Sequence, residues 1–186
     1  MGWAETEFKT VDIGDMRMDS RLFLLAEKLY ESPSSSIPVA SSGWSETQGS
    51  YRFLAQDNIR WEDVLTPHFE CSMNRMAQHD VVLCIQDTTE LNFNGRQTKG
   101  LGPLSHESQR GMYLHPTYAV STDREPIGVM DAWMWARKPK DEHGNRNDIK
   151  GSIRWIEGYE RVVGEGHLCL SFLLPILGRR KRVFNG

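Results

Sequence analysis

Two sets of residues in this chain could do chemistry. The first is Asp87, a carboxylate that directly follows the continuous apolar run Val81-Val82-Leu83-Cys84-Ile85. Where a buried strand ends, backbone pairing stops and a side chain can project from the sheet edge, so Asp87 reads either as a metal ligand or as a turn former before Thr88-Thr89. Metal-assisted phosphoryl chemistry needs several carboxylates converging on ions ~3.5 to 4 Å apart, because each Mg²⁺ takes oxygen ligands and one Asp cannot hold both. Spacing offers few partners. Asp131 lies in a later strand and reads as a paired polar group, Asp123 and Glu125 as solvated turn charges, and Glu157 and Glu160 as exposed helical acids.

The second set is cationic. Arg17, Arg21, Lys28, Arg52 and Arg60 could line one side of a helical segment and meet a DNA backbone, with Trp44 and Tyr51 as apolar supports. Arg110, just before Gly111, reads as a phosphate contact or a plain surface arginine. Other chemistries lack their motifs. The six histidines form no H-x-x-x-H or H-E-x-x-H pair, and no Ser lies in G-x-S-x-G. Gly95, Gly100 and Gly102 occur without the Lys-Ser/Thr of a phosphate-cradling loop. Cys71, Cys84 and Cys169 are odd in number with no C-x-x-C, which argues against a disulfide framework or structural zinc and fits a reducing cytoplasm.

The elements that must position these residues follow from length, composition and period. A chain of 186 residues with 39% hydrophobic and 25% charged side chains makes one domain, or one with a small extension. That balance excludes a disordered, collagenous or coiled-coil chain, and the apolar run Leu168 to Leu177 is far below the ~20 residues of a membrane span. The opening Met1-Gly2-Trp3-Ala4-Glu5-Thr6-Glu7-Phe8 lacks the apolar stretch of a secretory signal. Net charge is −3, which excludes a bulk polycation. It is unevenly spread: residues 1 to 70 hold 6 Lys/Arg against 12 Asp/Glu, whereas residues 151 to 186 hold 6 against 3. DNA contact near the N-terminus therefore has to come from a local arginine surface.

Leu22, Leu25, Ala26 and Leu29 recur at helical spacing after Asp15 or Asp19-Ser20, predicting a helix over 16 to 31 that Ser32-Pro33 ends. Ser45 and Gln48 have capping-box spacing ahead of a second helix. A third stripe runs from Trp61 to Met76 despite Pro67, which reads as a first-turn residue after Thr66 or as a kink. Residues 1 to 78 thus read as helical. The period then changes: Val81 to Ile85 and Leu91 to Gly95 read as strands, 96 to 110 as a loop, and Met112 to Ser121 with Ile127 to Trp135 as an antiparallel hairpin around Thr122-Asp123-Arg124-Glu125-Pro126. Ile153 to Val163 is amphipathic. After it an apolar block and the basic block Arg179-Arg180-Lys181-Arg182 show no amphipathic order.

Taken in order, Ser45 to Leu54, Trp61 to Leu65, Val82 to Gly95, and Arg110-Gly111-Met112 through Trp135-Ala136-Arg137-Lys138-Pro139 resemble the front part of the DDE transposases of the Tn-five type (insertion-sequence-four group). The resemblance runs from about residue 4 to about Val163. It implies an α+β protein: an N-terminal helical DNA-binding domain over 1 to 78, the first part of an incomplete ribonuclease-H-like mixed-sheet domain over 79 to 163, and a non-family tail over 164 to 186. It implies double-stranded transposon-end DNA as partner, with a homodimer or a heterodimer with a complete transposase. Mg²⁺ or Mn²⁺ is the implied cofactor, activating water and then a DNA 3′ hydroxyl. By the same resemblance Asp87 is the first catalytic aspartate and metal ligand, and Arg17, Arg21, Arg52 and Arg110 are DNA contacts. The family's second aspartate lies in an Asp-Arg-Glu motif on a strand after the late helix, and its third carboxylate later still. Neither matches here, since Asp123-Arg124-Glu125 sits in the upstream hairpin turn. The expectation is a truncated transposase that binds ends in the bacterial cytoplasm, near the nucleoid, and is inactive alone. The alternatives are an inhibitor of a complete transposase and a small metal-dependent nuclease that adds Asp131 or Glu157 to Asp87.

Overall fold

The computed structural model describes residues 2–95, 98–146, 149, 151–164 and 171–175. The chain divides into two compact units, Met1–Cys71 and Ser72–Gly186.

The first unit is helical: α1 (Trp3–Glu7), α2 (Met16–Glu31), α3 (Ile37–Ala40), α4 (Trp44–Leu54) and most of α5 (Trp61–Met76). Asp15 caps α2, its carboxylate accepting from the Arg17 backbone N–H at 2.9 Å, and Leu22 and Leu25 turn inward with Ala4, Phe8 and Phe53. The short α1 is held by side chains from elsewhere in the unit. Its Ala4 N–H donates to Glu27 Oε2 at 2.8 Å, and buried Glu7 meets His68 Nδ1 at 2.6 Å.

Two expectations from sequence are corrected here. The capping box at Ser45 does not form: Gly43 is the N-cap of α4, and Glu46 instead reaches back to accept from the Ser42 N–H at 3.2 Å. Pro67 does not open a new helix after Thr66. It lies inside the 16-residue α5, where its missing N–H costs one helical bond that the sixteen-residue apolar pattern outweighs.

The second unit is a six-stranded sheet of β1 (Val82–Gln86), β2 (Thr89–Asn92), β3 (Gly102–Pro103), β4 (Arg110–Ser121), β5 (Pro126–Trp135) and β6 (Ser171–Pro175), with α6 (Gly151–Gly164) between the last two. The expected hairpin is present. β4 pairs with β5 from Tyr113↔Trp135 to Val120↔Pro126, with register irregularities that let Met130 join Ala119 and Cys84 in the core. β1 pairs antiparallel with β4 on one side and parallel with β6 on the other. The protein is thus α+β, helices followed by a largely antiparallel sheet.

β6 lies in the block that sequence left without order. A strand paired in parallel reads as a continuous apolar run, so Ser171-Phe172-Leu173-Leu174-Pro175 carries no alternation to detect. The basic block Arg179 to Arg182 lies outside the described residues.

Strand alternation decides what the sheet can do. Register places Gln86, Thr117 and Asp131 side by side across β1, β4 and β5. These residues share the face that α6 covers, along with His115, Trp133 and Trp135.

Candidate functional site

The cations of the first unit separate by whether an acid already neutralises them. Arg17 is 89% exposed and its guanidinium pairs with Asp15 at 2.8 Å. That bond, the largest influence on both groups, raises the Arg17 pKa and lowers that of Asp15. Lys28 pairs with Glu31 at 3.3 Å and Arg60 with Glu62 at 2.8 Å. Arg21, Arg52 and Lys9 have no carboxylate partner among the described residues. Arg52 has only a long contact to the neutral Gln48 Oε1 at 3.4 Å.

Arg21 lies where α2 faces α4. The Arg21 guanidinium lies against Gly49, the point on α4 where no side chain stands in its way, and Arg52 is one helical turn beyond Gly49. Tyr51 and Trp44 are exposed on the same helix. Arg110 belongs to the second unit. It is exposed at the start of β4, where its Nη2 donates to the Leu101 carbonyl at 2.8 Å and its backbone N–H to Asn94 Oδ1 at 3.0 Å, bracing the loop before the strand.

Asp87 is exposed just past β1, and its Oδ1 accepts from the Thr88 N–H at 2.8 Å, the turn-forming contact. Its two neighbours are fixed by a residue that sequence analysis missed. His115, fully buried on β4, meets Thr88 Oγ1 at 2.6 Å through Nδ1. The Gln86 amide is assigned from its backbone neighbours: with its oxygen toward the Tyr159 N–H at 3.2 Å and its nitrogen toward the Trp155 carbonyl at 3.1 Å, the nitrogen also donates to His115 Nε2 at 3.1 Å. With Nε2 accepting, the His115 proton sits on Nδ1. Burial, the leading cause, lowers the His115 pKa; the charges of Asp131 and Asp87 oppose it. Trp155 closes the pocket with its ring edge, 5.0 Å between centroids, and Gly158 leaves the room α6 needs to approach.

Asp87 stands between Gln86 and Thr88, both of which meet His115, and its charge is felt at the His115 ring. Asp131 points toward α6. Both its oxygens accept from Arg161, Oδ2 from Nε at 2.6 Å and Oδ1 from Nη2 at 3.0 Å, a bidentate pair. Glu157 is bound to Arg154 at 3.2 Å, and Arg154 lies over the rings of Trp133 and Trp135. β6, the strand after the late helix, contains no acid, and neither does the sequence from Gly166 to its last residue. Among the described residues no three His, Cys, Asp or Glu side chains gather as a metal ion would require. The donor set of the described residues does not fit a two-metal site.

A family model described as transposase DNA-binding matches residues 1–59. This stretch, which runs from α1 through α4 and includes Lys9, Arg17, Arg21 and Arg52, is similar to the DNA-binding N-terminal region of transposases. Among the described residues no helix is long and apolar enough to cross a membrane.

Proposed function

We propose that this chain binds the double-stranded DNA of transposon ends through its first unit, and holds that DNA without cutting it. The observation that carries the reading is the match of residues 1–59 to transposase DNA-binding regions, together with two arginines on α2 and α4 that no acid neutralises. Phosphate contacts release condensed counterions and set affinity, whereas the excess of acids over residues 1 to 70 opposes loose association. Binding therefore depends on the few arginines left uncommitted. Arg21 and Arg52 fill that role, and Arg17 contributes only by exchanging Asp15 for a phosphate.

The ribonuclease-H-like reading of the second unit draws support from its connectivity: the antiparallel strands β1, β4 and β5, with the short β2 and β3 added on β4, then a helix, then a strand parallel to β1. In that reading Asp87 stands where the first family acid stands. Binding without cleavage draws support from the donor set, with Asp131 committed to Arg161 and β6 without an acid. Such a chain competes for ends with a complete transposase, which is the regulatory form of the same reading.

The test is a gel-shift with inverted-repeat duplex against scrambled duplex at fixed salt, with Mg²⁺ added to parallel tubes. End-selective retention with intact DNA is expected. Metal-dependent nicking that disappears in Asp87→Ala would refute the non-cutting part, and equal retention of both duplexes would refute end recognition.

A further inference from the structure

We propose that Gly49 is the seat of the Arg21 guanidinium, a positioning residue that turns Arg21 into a fixed phosphate ligand. The inference rests on the DNA-binding reading above and names one of its contacts.

Gly49 lies in the interior of α4, five residues after its start, where helix propensity disfavours glycine and favours alanine. Its backbone is not left-handed, so no turn requires it. What distinguishes the position is its neighbour. A Cβ built at Gly49 would stand 2.4 Å from Arg21 Cζ, 2.6 Å from Nη1 and 2.7 Å from Nη2, so its three nearest atoms all belong to one guanidinium. The plane of that group therefore lies on the bare backbone of α4. Arg21 itself is only partly exposed, and its N–H donors have no hydrogen-bond acceptor among the described residues. A half-buried cation held in place but left without an acceptor is arranged for an anion from outside. Glu46, the acid on α4, accepts from the Ser42 N–H through Oε2, and its buried Oε1 has no hydrogen-bond partner among the described residues, so neither oxygen binds Arg21. Arg52 lies one turn further along α4.

A fixed guanidinium presents its donor fork without first losing side-chain freedom, so the seat strengthens each phosphate bond it makes. The occupant is the DNA sugar-phosphate backbone, in keeping with the match of this stretch to transposase DNA-binding regions. A methyl group at Gly49 pushes aside only the far end of a flexible side chain, so Gly49→Ala unseats Arg21 and leaves the helices folded.

The experiment measures the affinity of the full chain for a labelled mixed-sequence duplex over a salt series, because a phosphate contact is read in the slope of log affinity against log salt. The proteins are wild type, Arg21→Ala, Gly49→Ala and the double variant. Losing one phosphate contact reduces the slope by about 0.9, equivalent to about eightfold less change in affinity per tenfold change in salt. The expected result is that Arg21→Ala and Gly49→Ala each lose this much, and the double variant loses no more than either. Helicity measured by circular dichroism stays at or above the wild-type level in Gly49→Ala.

If Arg21→Ala keeps the wild-type slope, the phosphate role of Arg21 fails, and the DNA-binding reading at this face with it. If Arg21→Ala loses slope while Gly49→Ala keeps it, the seat alone is overturned. The double variant, where the guanidinium is gone, has nothing close for the new methyl group to meet. Its failure to fold would also overturn the proposal.

Discussion

His115 offers the sharpest test of the second unit. The ring is fully buried, and its Nε2 accepts from Gln86 while its Nδ1 donates to Thr88. Protonation would set two donors against each other at Nε2 and place a charge out of water, so burial lowers the pKa from its ordinary 6.5. In the unfolded chain the same ring takes up its proton near 6.5. Below that pH the unfolded state binds more protons than the folded one, so stability falls as pH falls. The contribution is fully present above 6.5 and is lost on acidification until the folded ring also protonates. One proton taken up only by the unfolded chain changes stability by at most about 1.4 kcal/mol per pH unit, so the loss at pH 5.5 is bounded at about 1.4 kcal/mol. Urea unfolding at pH 7.5, 6.5 and 5.5, read from β4 amide signals, compares wild type with His115→Gln. The variant is less stable throughout because Gln cannot satisfy both Gln86 and Thr88. Its decline from pH 7.5 to 5.5 should nevertheless be shallower by up to the stated amount. Parallel declines in the two proteins, or an imidazole titrating at 6.5 in the folded state, would refute the assignment of a neutral, clamped His115.

The Asp131–Arg161 pair gives a second prediction. Asp131 is only 10% exposed but Arg161 is 40% exposed, so the 3 to 5 kcal/mol typical of breaking a buried pair is discounted to about 2 kcal/mol for Arg161→Ala. Denaturant titration checks it, and Arg161→Lys should recover only part because Lys cannot bind both carboxylate oxygens. Gly102→Ala should lower the melting temperature sharply, since its Cβ would stand 2.0 Å from the Arg137 carbonyl oxygen, while Gly100→Ala meets nothing and suffers only from its positive φ of 81°. Asp87→Asn keeps the oxygen that accepts from Thr88 N–H, so stability should change by less than about 0.5 kcal/mol and DNA retention not at all. Phe53→Ala removes a ring from the core of the first unit and should cost about 3 to 5 kcal/mol, seen as lost helicity on mild heating.

Local pattern was enough for the longer elements, though not for the short α3 and β3, which lie in stretches that read as loops. The apolar stripe over α2 and its Asp15 cap, the period change at Val81, and the turn between β4 and β5 are all written within a few residues of one another, because helical and strand periods are properties of neighbouring positions. The same holds for the cations of α2 and α4, whose number and helical placement are legible, and for Asp87 at a strand end. Which of those residues are available was decided only in three dimensions. Arg17 pairs with Asp15 two positions away, whereas the Arg21 guanidinium lies on Gly49, 28 positions away on α4. Asp131 reads as one acid among several until Arg161, 30 positions away, takes both its oxygens. His115 reads as one histidine in a strand until Thr88, 27 positions away, and Gln86 fix its proton. β6 carries no period of its own and becomes a strand only by pairing with β1. Hydrogen bonds and ion pairs between distant positions have no sequence period, so their partners are set by the register and packing of the sheet and helices.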